Sequence, residues 1–162
     1  MAEKKKVYVE TSVISYLAAR PSASIQDAAR QLSTYEWWEN ESHRYDLYVS
    51  QAVLKEASRG DADAAARRMK ILDGMSELSA DDNALMLATA FIDGHAGPKE
   101  YPDDALHIAI AAVGGMDYLL SWNFKHITNA DTIPIVQRIC LEKGYRCPMI
   151  CTPQMMRREG AT

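Results

Sequence analysis

The sequence predicts an α/β sandwich built around a parallel sheet. Short apolar runs alternate with longer segments of helical period, as in proteins whose strands are joined by helical crossovers. The run Asp117–Trp122 is almost continuously apolar, as expected of a central strand covered on both faces. A chain of 162 residues is one domain's worth of sequence, enough to bury about two-thirds of the surface its unfolded form exposes.

Taken in order, Lys6-Val7-Tyr8-Val9 reads as the first strand. Thr11 and Ser12 offer a helix cap before Val13, Ile14, Tyr16 and Leu17. Pro21-Ser22 breaks the chain, and apolar residues at spacings of three and four predict a helix over about 24–42. Tyr45–Ser50 is a second strand, followed by a helix over 51–58 that Gly60 closes. Asp61 caps a helix to about Leu72, and Asp81-Asp82 caps another to about Ile92. After a turn-rich loop over 94–102, Asp103–Val113 is a strongly apolar helix ended by Gly114-Gly115. The third strand, Asp117–Trp122, precedes a helix over 131–143 stopped by Gly144, and Pro148–Cys151 is a candidate last strand.

Hydrophobic residues make up 48% and charged residues 25%, which excludes a disordered or fibrous chain. No apolar run approaches the ~20 residues that cross a membrane. The basic start Lys4-Lys5-Lys6 leads into too short an apolar stretch for a secretory leader, so a cytoplasmic protein is expected. Cys140, Cys147 and Cys151 are an odd number, which argues against a disulfide framework, and their spacing is at most a weak half of a zinc site. The net charge of −4 means that bulk charge alone would not hold a nucleic acid; a local basic patch, a metal or a basic partner is needed.

In open parallel sheets, sites form beyond the carboxyl ends of the strands. Glu10 ends the first strand, Glu56 lies on the helix after the second, Asp104 opens the helix before the third, and Asn123 follows that strand. Two carboxylates ~4 Å apart repel by about 4 kcal/mol at an effective dielectric of ~20. A fold that gathers them must protonate one or bind a cation, and oxygen donors favour Mg²⁺ or Mn²⁺. Such an ion serves phosphodiester hydrolysis. Each residue also has a plainer reading. Glu10 complements a helix dipole, Glu56 faces water beside Lys55 and Arg59, Asp103 and Asp104 cap a helix, and Asn123 makes a turn.

The segment Val7-Tyr8-Val9-Glu10-Thr11-Ser12 resembles the opening of PIN domains, a strand ending in an acid followed by Thr-Ser. Tyr48–Glu56 is similar to that family's second strand and acidic helix, Asp103–Ala111 to its third acidic block, and Asp117–Ile127 to its late strand and turn. The blocks stand in the family's order over about residues 6–128. The resemblance implies a three-layer α/β/α sandwich with a mainly parallel sheet of about five strands, one PIN-like unit over 1–162, with a helix and possible strand over 131–151 and a short tail. It implies a Mg²⁺- or Mn²⁺-dependent ribonuclease, the VapC-type toxin of a type II toxin–antitoxin pair, with RNA as substrate, a cognate antitoxin and a homodimer as partners.

Carried over by position, Glu10, Glu56 and Asp104 take the metal-site acids, Ser12 the supporting hydroxyl and Asn123 the fourth place, with Asp104 favoured over Asp103. Glu10 and Asn123 stand where the family usually has Asp, which points to a weak or specialised nuclease. The rival readings are a PIN-like module that only binds RNA or protein, and a receiver-like phosphoacceptor, which lacks its strand-end Asp here. Lys125, His126, Arg67, Arg68 and Lys70 are candidate phosphate contacts. His107 is either near the pocket or simply packed, and Trp37-Trp38 with Tyr35 is either core or a groove for a partner helix.

Overall fold

The computed structural model describes residues 2–158. Five strands form one sheet: β1 (Lys5–Val9), β2 (Tyr45–Ser50), β3 (Ser76–Leu78), β4 (Tyr118–Leu120) and β5 (Met149–Cys151). Their order across the sheet is β3-β2-β1-β4-β5, and every neighbouring pair is parallel. Val7 of the central strand lies opposite Leu47 on one side and Tyr118 on the other. The chain steps outward from β1 through β2 to β3, then returns to the other side of β1 for β4 and β5. That reversal creates a switch-point crevice at the carboxyl ends of β1 and β4.

Helices cover both faces. On one, α1 (Thr11–Ala18) packs against α2 (Ile25–Asn40), α3 (Gln51–Ala57) and α4 (Ala62–Leu72). On the other, α5 (Asp82–Asp93) packs against α6 (Pro102–Val113) and α7 (Ile133–Lys143). This is the three-layer α/β/α sandwich expected from the sequence. Val7, Tyr8 and Val9 are fully buried, as a central strand between two helical layers must be. Gly115 and Gly144 both take positive φ, +72° and +83°, where the chain leaves α6 and α7, a geometry that side chains with a Cβ disfavour.

Several expected boundaries shift. The first helix is capped by Glu10 rather than by Thr11 or Ser12, because the Glu10 carboxylate itself accepts the Ser12 backbone N–H. Tyr101 precedes α6 and Pro102 opens it, so Asp103 and Asp104 lie inside its first turn and neither caps it. β3 arises in a segment without an apolar run; its partly exposed residues are extended by pairing with β2. Trp37 is 1% exposed and Trp38 packs on the same core, so this aromatic pair belongs to the interior. The three cysteines are free thiols. Of the expected short tail, Pro153–Met156 form a 3₁₀ turn, and residues 159–162 lie outside the described residues. No helix among the described residues is long and apolar enough to cross a membrane.

Candidate functional site

Glu10 leaves the end of β1 and is only 4% exposed. Its backbone N–H donates to the Leu120 carbonyl at 3.0 Å, which locks the strand end beside β4. Its Oε1 accepts the Ser12 hydroxyl at 2.5 Å and the Ser121 hydroxyl at 2.5 Å, and its Oε2 accepts the Ser12 N–H at 3.2 Å. Ser12 also accepts the Trp122 N–H at 2.8 Å. The two serines therefore clamp one carboxylate between α1 and the end of β4. Ser12, expected to support the first acid or a metal-bound water, donates its hydroxyl to Glu10. From the sequence, Thr11 reads only as a helix cap and Ser121 has no assigned role. Their signal was a small hydroxyl at the end of an apolar strand and one directly after the strand-end acid.

Glu56 reaches the same point from α3. Its Oε1 accepts the Thr11 hydroxyl at 2.8 Å and the Nε2–H of His107. His107, from α6, is 0% exposed. Its other nitrogen, Nδ1, is 2.7 Å from the Tyr8 hydroxyl, which is 2.7 Å from the Ser50 hydroxyl. These hydroxyls can reverse their donor direction, so both nitrogens stay satisfied whether or not Nδ1 carries a proton. One donor atom each from Glu10, Glu56 and His107 lies within 4.8 Å of the others.

Electrostatics follow from this packing. Burial opposes a charge on His107. The bond to Glu56 and the negative charges of Glu10, Glu56 and Asp104 outweigh it and raise the imidazole above its ordinary value of 6.5. Burial likewise opposes ionisation of Glu56, but the His107 bond and charge, with the Thr11 hydroxyl, hold its carboxyl below the ordinary 4.5. Burial pushes the Tyr8 hydroxyl far up, so it stays neutral. Without metal, the charged form of the imidazole is thus favoured by its acidic neighbours.

Asp104 stands apart from that close trio. Its Oδ2 accepts the Nδ1–H of His126 at 2.7 Å, and both side chains are partly open, at 16% and 15%. The His126 ring lies against Tyr101, with centroids 4.8 Å apart. Asn123 closes the turn after β4: its Oδ1 accepts the His126 N–H at 3.0 Å. The oxygen expected to face the site is therefore spent on the turn that positions His126. The expected phosphate contacts divide. Lys125 is exposed, His126 is engaged with Asp104, and Lys70 is exposed. Arg67 donates to the Ala18 carbonyl at 2.9 Å, and Arg68 to the Ala57 and Arg59 carbonyls at 2.9 and 2.5 Å. These two guanidiniums stitch α4 to its neighbours.

The donor set suits a divalent ion. An octahedral Mg²⁺ at ~2.1 Å from its ligands spaces them about 3–4 Å apart, within reach of the trio. Each candidate ligand has its own hydrogen-bonding support: Ser12 and Ser121 for Glu10, Thr11 for Glu56, Tyr8 for His107. Such outer contacts orient metal ligands.

No family model matches the sequence, and no curated protein matches it. Solved structures do. VapC20 of Mycobacterium tuberculosis, a sarcin–ricin-loop-cleaving toxin, aligns with TM-score 0.58 at 17% identity, over 74% of this chain and 92% of its own. VapBC2 of Rickettsia felis, bound to a DNA fragment from its promoter, aligns with TM-score 0.58 at 12% identity, over 91% of this chain and 98% of the matched one. At these identities the likeness is one of architecture: the chain has the PIN-like fold of the VapC toxins.

Proposed function

We propose that this chain is a metal-dependent endoribonuclease, the toxin of a type II toxin–antitoxin pair, acting as one PIN-like unit. The observation that carries this reading is the meeting of Glu10, Glu56 and His107 at the switch point, each braced by its own hydroxyl. The Rickettsia felis neighbour is an assembly of VapB with VapC, which supports an antitoxin as partner; a homodimer and a cytoplasmic location belong to the same reading.

Glu10 and Glu56 are the metal-holding carboxylates in this proposal, with Asp104 as the third acid at the rim and His107 as a further donor. Carboxylates select Mg²⁺ or Mn²⁺, and an imidazole in the set weights the choice toward Mn²⁺. The ion supplies Lewis-acid polarisation of the phosphoryl oxygen when bound. The protein's own groups do the rest. Ser12 and Ser121 hold Glu10 in one rotamer, Thr11 fixes Glu56, and Tyr8 sets the His107 ring. In this proposal Asp104, steadied by His126, is the base for an attacking water.

A second reading is favoured by one observation: the His107 Nε2 already sits against the Glu56 carboxylate. In it the imidazolium neutralises the acids permanently, and the chain binds RNA or protein without cleaving.

The test is cleavage of RNA in Mn²⁺ or Mg²⁺ by wild type and Asp104→Asn. The proposal expects metal-dependent cleavage that falls about 100-fold or more in the variant, the range for loss of a positioned acid–base group. Equal cleavage by both proteins would remove Asp104 from the site. RNA bound but never cleaved, with or without metal, would establish the binding-module reading instead.

A further inference from the structure

On the rim of the acidic site two large aromatic rings face solvent. Tyr101, directly before α6, is 58% exposed, and Phe124, in the turn after β4, is 42% exposed. Both are attached to the machinery of the site. One face of Tyr101 lies on His126, which holds Asp104. Phe124 lies edge-on to Trp122, with centroids 6.0 Å apart, and the Trp122 backbone N–H is bound to Ser12. The Arg30 guanidinium from α2 lies 5.0 Å from the centre of Phe124 and 5.9 Å from that of Trp122. Among the described residues Arg30 has no carboxylate within ion-pair distance.

The charge balance gives these rings a task. A chain of net charge −4, with acids at its proposed active site, gains little from bulk attraction to a polyanion. Arg67 and Arg68 are spent on backbone carbonyls. The cations left near the site are Arg30, the exposed Lys125 and Arg59, whose charge is felt at Glu56. So small a set of cations leaves room for contacts that do not depend on charge, and stacking of a base on an aromatic face is the strong one. Stacking needs a base free of its partner.

We propose that Tyr101 and Phe124, the latter with Arg30, are base-stacking platforms at the rim of the acidic site, and that they select unpaired nucleotides over duplex. This rests on the ribonuclease reading for its setting but is tested by binding, which needs no cleavage. In EDTA, a fluorescein-labelled single-stranded RNA dodecamer and the blunt duplex of the same sequence are titrated with wild type, Tyr101→Leu and Phe124→Leu. The expected result is preference for the single strand. Each leucine variant should weaken single-strand binding about 5- to 100-fold, the range for one stacked base, with folding unchanged by circular dichroism. Tyr101→Phe and Phe124→Tyr should restore binding, because the ring rather than the hydroxyl does the work. With about two or three cations in play, log K against log salt should have a slope near −1 to −2.

Unchanged single-strand affinity in both leucine variants, duplex bound as well as single strand, or no RNA binding by wild type would overturn the proposal. Cleavage in Mn²⁺ is followed in parallel. Wild-type cleavage with an unchanged KM in both leucine variants would sink the platforms and leave the nuclease reading standing. Ring-dependent binding without any cleavage would do the reverse.

Discussion

The two ends of the sheet treat their carboxylates in opposite ways. At the amino end, Asp117 accepts the Lys6 backbone N–H at 2.8 Å and a bond from Arg146 at 2.9 Å. That N–H and the Arg146 charge hold its carboxyl below the usual range. This is an ordinary surface acid, paired and at rest. At the carboxyl end, Glu10, Glu56 and Asp104 have no Lys or Arg within ion-pair distance among the described residues; histidines face them instead. An arginine cannot leave its charge behind, whereas an imidazole can surrender a proton and become a ligand. The site end thus keeps its acids available for a cation, whereas Asp117 at the opposite end is already paired.

The sharpest way to break that contrast is to remove His107. In His107→Ala, without metal, Glu10 and Glu56 face each other without a countercharge and the Tyr8 hydroxyl loses its ring partner. The expected loss is about 3–5 kcal/mol, the range for breaking a buried ion pair, seen as a lower urea midpoint in EDTA. A loss below about 1 kcal/mol would mean that the imidazole is not the counter-ion described.

Acidity sharpens it further. His107 has a raised pKa in the fold, so its contribution is complete below its ordinary 6.5 and fades as pH rises through the raised value. Glu56 is depressed, so its contribution is complete above its ordinary 4.5 and is lost as pH falls through the lowered value. Metal-free protein should therefore be more stable at pH 5.5 than at 8.5. Urea melts at the two pH values should show that difference in wild type and a much smaller one in His107→Ala. The opposite trend would contradict the pair.

The smallest effect belongs to the other end. Arg146→Ala removes a contact whose arginine side chain is 68% exposed, and should cost about 0.5 kcal/mol or less. A loss as large as that of His107→Ala would erase the distinction between the two ends.

Much of this molecule was readable from the sequence because its signals are local. The strand-end position of Glu10, the apolar β4 and α6, and the glycine stops at 114–115 and 144 all follow from chain chemistry that neighbours do not alter. β3 was not legible: Ser76-Glu77-Leu78 has no apolar period, and only the edge of β2 makes it a strand. The site was legible in its acids and less so in their partners. Asp104 and His107 are three residues apart and so share a helix face, yet they separate, Asp104 to His126 and His107 to Glu56. That outcome depends on Tyr8 and the turn at Asn123, which are distant in sequence. The same holds for Arg67 and Arg68, whose helix reads as solvated until the carbonyls they hold are seen.

In the proposed nuclease Glu10, Glu56 and His107 form one cation site. The most direct measurement is calorimetric titration of the protein with Mn²⁺. The expected result is one ion per chain, binding that tightens as pH rises because any proton on the ligating His107 nitrogen must leave, and affinity at least tenfold weaker in Glu56→Gln. Mn²⁺ binding to Glu10→Gln/Glu56→Gln with wild-type affinity would contradict it.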